Sequence, residues 1–216
     1  MGKIFENAKP RFSDEDFINM GFQPRTYRRN DVVLFNSYKK NGCEIMSNFY
    51  PCKIEYEGKI FNSSEQLLFY KDALLWGNVF VEQFDVLQEI LNCDCGRDVK
   101  NNYKVKRFDK KIDQRKLDCL GLRGAMLDGW KNLYECIKLK YRDCKEFRDI
   151  LRKYDGKVYM EDSFWGDNFA GCLWDSSLQM YKGLNACGRA MLRVYKEGLE
   201  EEKNKVEDMV MVTTGA

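Results

Sequence analysis

The sequence predicts an α+β fold, mainly α-helical, in which a small N-terminal sheet or hairpin packs on a helical domain. Three observations predict it. All three prolines, Pro10, Pro24 and Pro51, fall in the first quarter of the 216 residues, among turns and short strand-like runs. Later in the chain, apolar side chains recur at helical spacing over proline-free segments. With 44% hydrophobic and 32% charged residues the composition is globular, and the length suits one core.

In chain order, residues 1–31 read as an N-terminal extension, 32–200 as a single domain and 201–216 as a frayed tail. "DVVLFN" is β-branched and apolar, as a buried strand would be. "KIEYEGKIF" puts Ile54 and Tyr56 on one side, then a Glu57-Gly58 turn, and reads as a hairpin. Ser63 can cap the helix that follows, with Gln66 completing a capping box. Leu67, Leu68, Tyr70, Leu74 and Leu75 give that helix a broad apolar stripe, and Gly77 is its natural stop. Further helices are expected over 78–92, 129–154 and 185–203. Residues 97–116 carry nine basic and three acidic residues, a local charge of +6. They read as a solvated face or as a contact for phosphate or nucleic acid, with Tyr103 and Phe108 interleaved.

The net charge of +2 advertises neither a nucleic acid nor a membrane surface for the whole molecule. No apolar run approaches the ~18 residues that a membrane span needs. The first residues lack the apolar core of a signal peptide, and Glu6 stands where a myristoylation motif wants Ser or Thr. Nine irregularly spaced cysteines without a Cys-x-x-Cys pair read as reduced thiols of a cytoplasmic protein rather than as a disulfide or zinc framework. No metal site, no cofactor and no membrane partner is expected, and nothing in the sequence signals an oligomeric state.

The chain has no histidine. That excludes Ser-His-Asp and Cys-His catalysis and the histidine-based metalloprotease motifs. An enzyme built from this chain must move protons with carboxylates, Lys, Tyr or Cys, and carboxylate chemistry includes N-glycoside cleavage. Glu65 occupies the first turn of its helix, where the macrodipole favours a carboxylate; Glu is also common there for stability alone. "EDSFWGDNFAG" places Asp162 and Asp167 around Phe164, Trp165 and Gly166. Such a group suits stacking of a planar ring beside sugar hydroxyls, or is a core tryptophan next to a turn. "KGLNACG" has Gly183, Asn185 and Gly188 opening a helix whose N-terminus can receive a phosphate.

"SNFYPCKIEYEGKIFNSSEQ", "GR", a tryptophan, "D-x-FWG" and "G-x-N-x-x-G" stand here in the order found in the YbiA/NADAR family, which this sequence resembles over roughly residues 32–197. The resemblance implies a small cytosolic protein binding phosphoribosyl or ADP-ribosyl nucleotides, and an N-glycosidase. Its substrate would be a phosphoribosylamino-pyrimidine, or ADP-ribosylated guanine in nucleic acid docked through 97–116. It implies catalytic roles for Glu65 and Asp162, one stabilising positive charge on the ribose and the other protonating the leaving nitrogen. It also implies ligand contacts from Ser47, Asn48, Phe49, Arg97, Trp130, Phe164, Trp165, Gly166, Asp167 and Asn185. The family's lysine seven residues after the glutamate is Asp72 here, with Lys71 one step earlier. One step rotates a helical side chain by about 100°, which sets a Schiff-base role for Lys71 against a pocket that binds without turnover. Tyr195 replaces an arginine common in the last helix, and Cys187 replaces a leucine.

Overall fold

The structure is a computed structural model that describes residues 9–37, 41–76, 83–106 and 108–214. Helix α1 (Asp14–Asn19) opens on a capping box, in which the Ser13 hydroxyl accepts from the Asp16 N–H and the Asp16 carboxylate accepts from the Ser13 N–H. Strands β1 (Arg25–Tyr27) and β2 (Val32–Phe35) follow, then the hairpin β3 (Ile54–Tyr56) and β4 (Lys59–Phe61). Its turn places Glu57 at φ 49° and Gly58 at φ 71°, the pair of positive angles that matches a two-residue turn to strand twist.

Five helices come next: α2 (Ser64–Trp76), α3 (Gln83–Leu91), α4 (Gly96–Lys106), α5 (Phe108–Asp143) and α6 (Lys145–Lys153). Gly121, at φ 66°, breaks α5 into two lengths. Strands β5 (Val158–Glu161), β6 (Leu173–Asp175) and β7 (Met180–Gly183) precede the last helix, α7 (Ala186–Thr214).

The sheets join distant parts of the chain. β2 pairs in parallel with β5, and β1 pairs antiparallel with β7, which also pairs with β6. Strands are thus not confined to the first quarter. β6 and β7 are only three and four residues long, too short to show alternation. The expected extension at 1–31 carries β1 in this shared sheet, and Phe17 and Met20 pack with Met126 and Leu184. The tail expected to fray from residue 201 continues α7 to Thr214, since no proline or glycine interrupts its backbone before Gly215. The expected stop at Gly77 lies outside the described residues. The helix expected at 129–154 is two, parted at Cys144, which leaves the helical region at φ −108° and ψ 101°.

The core lies between α2, α5 and α7. Leu133, Ile137, Phe147, Leu151, Met191 and Val194 form one buried cluster; Ile54, Phe61, Leu67, Tyr70, Ile90 and Val99 form a second around α2. Leu74 and Leu75, expected to extend the apolar stripe of α2, are 37% and 49% exposed. Gly188 lets α7 lie against β5: a Cβ there would overlap the Tyr159 carbonyl oxygen. Among the described residues, no helix is long and apolar enough to cross a membrane.

Candidate active site

The hairpin delivers the chain to α2, and the loop before the hairpin folds back over the helix mouth. The Glu65 N–H donates to the Asn48 carbonyl at 2.9 Å, and the Ser64 hydroxyl donates to both Asn48 oxygens at 3.2 Å. Ser63 accepts from the Gln66 N–H at 3.2 Å, as a cap does. The Gln66 side chain does not close the expected box. Its oxygen accepts from Asn62 N–H at 2.6 Å and its amide donates to the Ile90 and Cys93 carbonyls, tying α2 to α3.

Glu65 is 8% exposed. The start of α4 presses on it: a Cβ at Gly96 would stand 2.6 Å from the Ser63 oxygen and 2.8 Å from the Glu65 Cβ. The next turn of α4 brings two cations. Arg97 lies 5.7 Å and Lys100 4.7 Å from the centre of the Phe49 ring, and the Lys100 Nζ lies 3.9 Å from Glu65 Oε1. Lys100 was not singled out in the sequence. The signal was available, because it follows Arg97 by three residues and shares its helical face.

A carboxylate near enough to feel the Glu65 charge is Glu161, the residue before Asp162. Burial, followed by the negative charges of Asp167 and Glu65, pushes the Glu161 carboxyl up to about 7, against a hydrogen bond from the Cys187 thiol. Asn48 reaches the same sulfur, its amide donating to Cys187 Sγ at 3.6 Å. The mouth of α2, the end of β5 and the first turn of α7 are thereby joined through Asn48 and Cys187. Asp162 is the next residue along the β5 chain path, and neighbouring strand residues face opposite ways. Its charge acts on Cys172 and Tyr181 instead, both pushed up mainly by burial.

The remaining expected residues divide. Phe164 and Trp165 meet edge to face at 5.1 Å, and Trp165 is 38% exposed, free to stack on a planar ring. Gly166, at φ 103°, turns its carbonyl to the Arg11 N–H at 2.8 Å. Asp167 caps its own loop by accepting from the Phe169 and Ala170 N–H groups. Trp130 is half-buried under the Arg189 guanidinium, 5.8 Å from its ring centre. Ser47 is buried; its hydroxyl accepts from the Phe49 N–H and its carbonyl from Lys140. Asn185 is fully buried and donates to the Tyr159 carbonyl at 2.8 Å. That bond ties the start of α7 to β5. The expected phosphate seat on α7 is occupied too, since the Ala186 and Cys187 N–H groups bond to the Phe169 and Ala170 carbonyls.

Lys71 is engaged elsewhere. Its Nζ lies 2.7 Å from Glu135, 3.3 Å from the Tyr56 hydroxyl and 4.5 Å above the Tyr56 ring. Burial disfavours its charge, but Glu135 and Tyr56 outweigh burial and raise its pKa, so the amine stays protonated. Six residues along a helix is a rotation of about 240°, so Lys71 and Glu65 leave α2 on different faces. Asp72 accepts from Asn132 at 2.6 Å. The side chains of Tyr103 and Phe108 lie outside the described residues. Two surface clefts of about 380 and 480 Å³ lie away from Glu65, one beside Glu44 and Glu146, the other between α5 and α7. Neither is lined by Glu65, Glu161 or Trp165.

No protein-family model matches the chain, and no curated protein matches it in sequence. Among solved structures it is similar to the NMR structure of the E. coli protein YbiA, with a TM-score of 0.54 and 14% identity, covering 82% of this chain and 89% of that one. At that identity the likeness is one of architecture, and the chain has the YbiA-like fold.

Proposed function

We propose that this protein is an N-glycosidase that hydrolyses the C1′–N bond between a ribose phosphate or ADP-ribose and a planar base. The observation that carries the reading is a pair of carboxylates in unlike surroundings: Glu65 beside the Lys100 ammonium, and Glu161 with its carboxyl raised to about 7. Such a division is what acid–base assignment requires. Glu161 in its acid form gives its proton to the leaving nitrogen, and the C1′–N electron pair goes to that nitrogen. Glu65 stabilises the positive ribose ring. Water adds to C1′ and yields a proton to Glu65, leaving the base with its N–H restored and a released ribose phosphate or ADP-ribose. Arg97 and Lys100 suit the phosphates, and exposed Trp165 suits the base. Substrates of the right chemistry are ADP-ribosylated guanine in nucleic acid and a phosphoribosylamino-pyrimidine. None of the nine cysteines is joined in a disulfide, which suits the reducing cytoplasm.

A second reading has its own observation. Lys71 bonded to Glu135, and Asp72 to Asn132, leave neither the Lys71 amine nor its neighbour for covalent sugar chemistry. A pocket that binds ADP-ribose and senses or sequesters it is compatible with both. Mass spectrometry of a panel of N-ribosides separates the two. Cleavage by the native chain but not by Glu65→Gln or Glu161→Gln supports hydrolysis. Intact compounds, one of which binds at micromolar concentration, support the binding module. Oligonucleotide affinity that falls steeply with salt would assign the substrate to nucleic acid; a flat dependence would assign it to a free metabolite.

A further inference from the structure

Two arginines are half-buried among the described residues, Arg148 and Arg189. The fold satisfies Arg148, whose Nη1 donates to the Tyr141 and Arg142 carbonyls at 2.6 Å each. It does not satisfy Arg189. In the first turn of α7, the Arg189 guanidinium lies 5.8 Å from the centre of the Trp130 ring and meets no carboxylate or carbonyl among the described residues. An indole ring attracts a cation but has no acceptor to offer, so the five N–H donors stay unmet. The next turn shows what is missing. Arg193 lies 4.6 Å from the Tyr134 ring in the same way, and its Nε donates to Glu197 at 3.0 Å. Four residues after Arg193 stands that glutamate; four residues after Arg189 stands Arg193, a second cation. A third cation comes from β1. Arg25 pairs with Gly183, at the end of the strand that leads into α7, and strand alternation puts it on the same face as Tyr27. Arg25 is exposed and likewise meets no carboxylate among the described residues. Burial, then the Cys172 charge, pushes the Tyr27 hydroxyl up, and the Arg25 and Arg189 charges both pull against that rise.

We propose that Arg189, seated over Trp130 and joined by Arg25 and the Tyr27 hydroxyl, binds the phosphate group of a phosphomonoester. A guanidinium presents paired N–H groups that match two oxygens of one phosphate, and its planar fork loses little freedom in forming them. A phosphate ester is close to doubly charged at neutral pH, so one group balances both arginines, as a single carboxylate does not. Arg193 takes no part, because Glu197 already accepts from it. The site uses none of the residues placed around Glu65, and it does not rest on the hydrolase reading.

The test titrates the full chain, carrying nitrogen-15-labelled arginine, with inorganic phosphate and separately with acetate, at constant ionic strength and near-neutral pH. The arginine Nε–H signals are followed by NMR, and the spectra of Arg189→Lys and Arg25→Lys identify the two signals by their absence. The expected result is a saturable shift of the Arg189 signal in millimolar phosphate, with the Arg25 signal on the same curve and the Arg193 signal still. Acetate should move neither. Arg189→Met should weaken phosphate binding, read on the Arg25 signal, by about tenfold or more. Arg189→Lys keeps the charge without the fork and should weaken it less. Arg193→Met should bind phosphate as the native chain does. An Arg189 signal that stays put, that moves equally in acetate, or that moves no more than those of exposed Arg28 and Arg29 overturns the proposal. A shift confined to Arg97 overturns it too, because the phosphate is then bound beside Glu65. The titration needs no turnover, so failure of the hydrolase reading leaves its result intact.

Discussion

Replacing Glu161 with glutamine should change how stability depends on pH. In the folded chain burial holds the carboxyl at about 7, against an ordinary 4.5. A carboxyl raised by folding binds its proton more tightly in the native state. Between pH 4.5 and 7 the native chain keeps a proton that the unfolded chain has lost, so native stability falls as pH rises through that window. At about 1.4 kcal/mol per decade the full separation corresponds to about 3 kcal/mol. Glu161 keeps partial contact with solvent, which screens the effect to about 2–3 kcal/mol. Glutamine keeps the shape and never ionises. Urea unfolding of the native and Glu161→Gln chains at intervals from pH 4 to pH 8 gives the difference curve. The variant should gain about 2–3 kcal/mol on the native chain across the window and hold that gain above it. Parallel curves would refute the claim that Glu161 is buried as an acid, and its assignment as proton donor would go with it.

Lys71→Met should leave turnover and ligand affinity unchanged, because Glu135 and Tyr56 hold the amine away from Glu65; borohydride reduction during turnover should trap no sugar adduct. Gly188→Ala drives a methyl into the Tyr159 carbonyl oxygen, a backbone atom that cannot rotate aside. It should cost about 3 kcal/mol and lower the Tm by about 6–12 °C in a thermal scan. Lys140→Met strands the Ile45 and Ser47 carbonyls without a donor. It should lower stability by about 2 kcal/mol in urea unfolding, less than two lost hydrogen bonds would suggest, since methionine has no charge to desolvate.

The α2 region was legible because its signals are local. The Glu57-Gly58 turn, the Ser63 cap and the first-turn position of Glu65 each depend on residues within a few positions of one another. The choice between Glu161 and Asp162 was not local. Both precede the aromatic motif, and the register of β5 against β2, which sets Phe35 opposite Glu161, is a long-range fact that the sequence does not show. The resemblance implies a ligand contact from Asn185, and the helix that opens there suggests a phosphate seat. In the fold the same place is closed by residues 169–170, which take up the helix's first N–H groups. Cys187 looked like a small apolar residue, and its hydrogen bonds to Asn48 and Glu161 arise only when three separate segments meet. The short strands β6 and β7 carry no period long enough to count, and their pairing with β1 is set by the tertiary fold.

That pairing has a consequence for how the chain is made. β1 bonds to β7 alone, with Arg25 opposite Gly183, and these residues are 158 apart in the chain (183 − 25). At about 5–20 residues per second, β7 leaves the ribosome about 8–30 s after β1. Through that interval the backbone donors and acceptors of residues 25–27 have no native strand to meet, and the apolar β2 waits likewise for β5. The nascent chain therefore carries two unsatisfied edges for most of its synthesis, which makes chaperone cover and translation speed determinants of its yield.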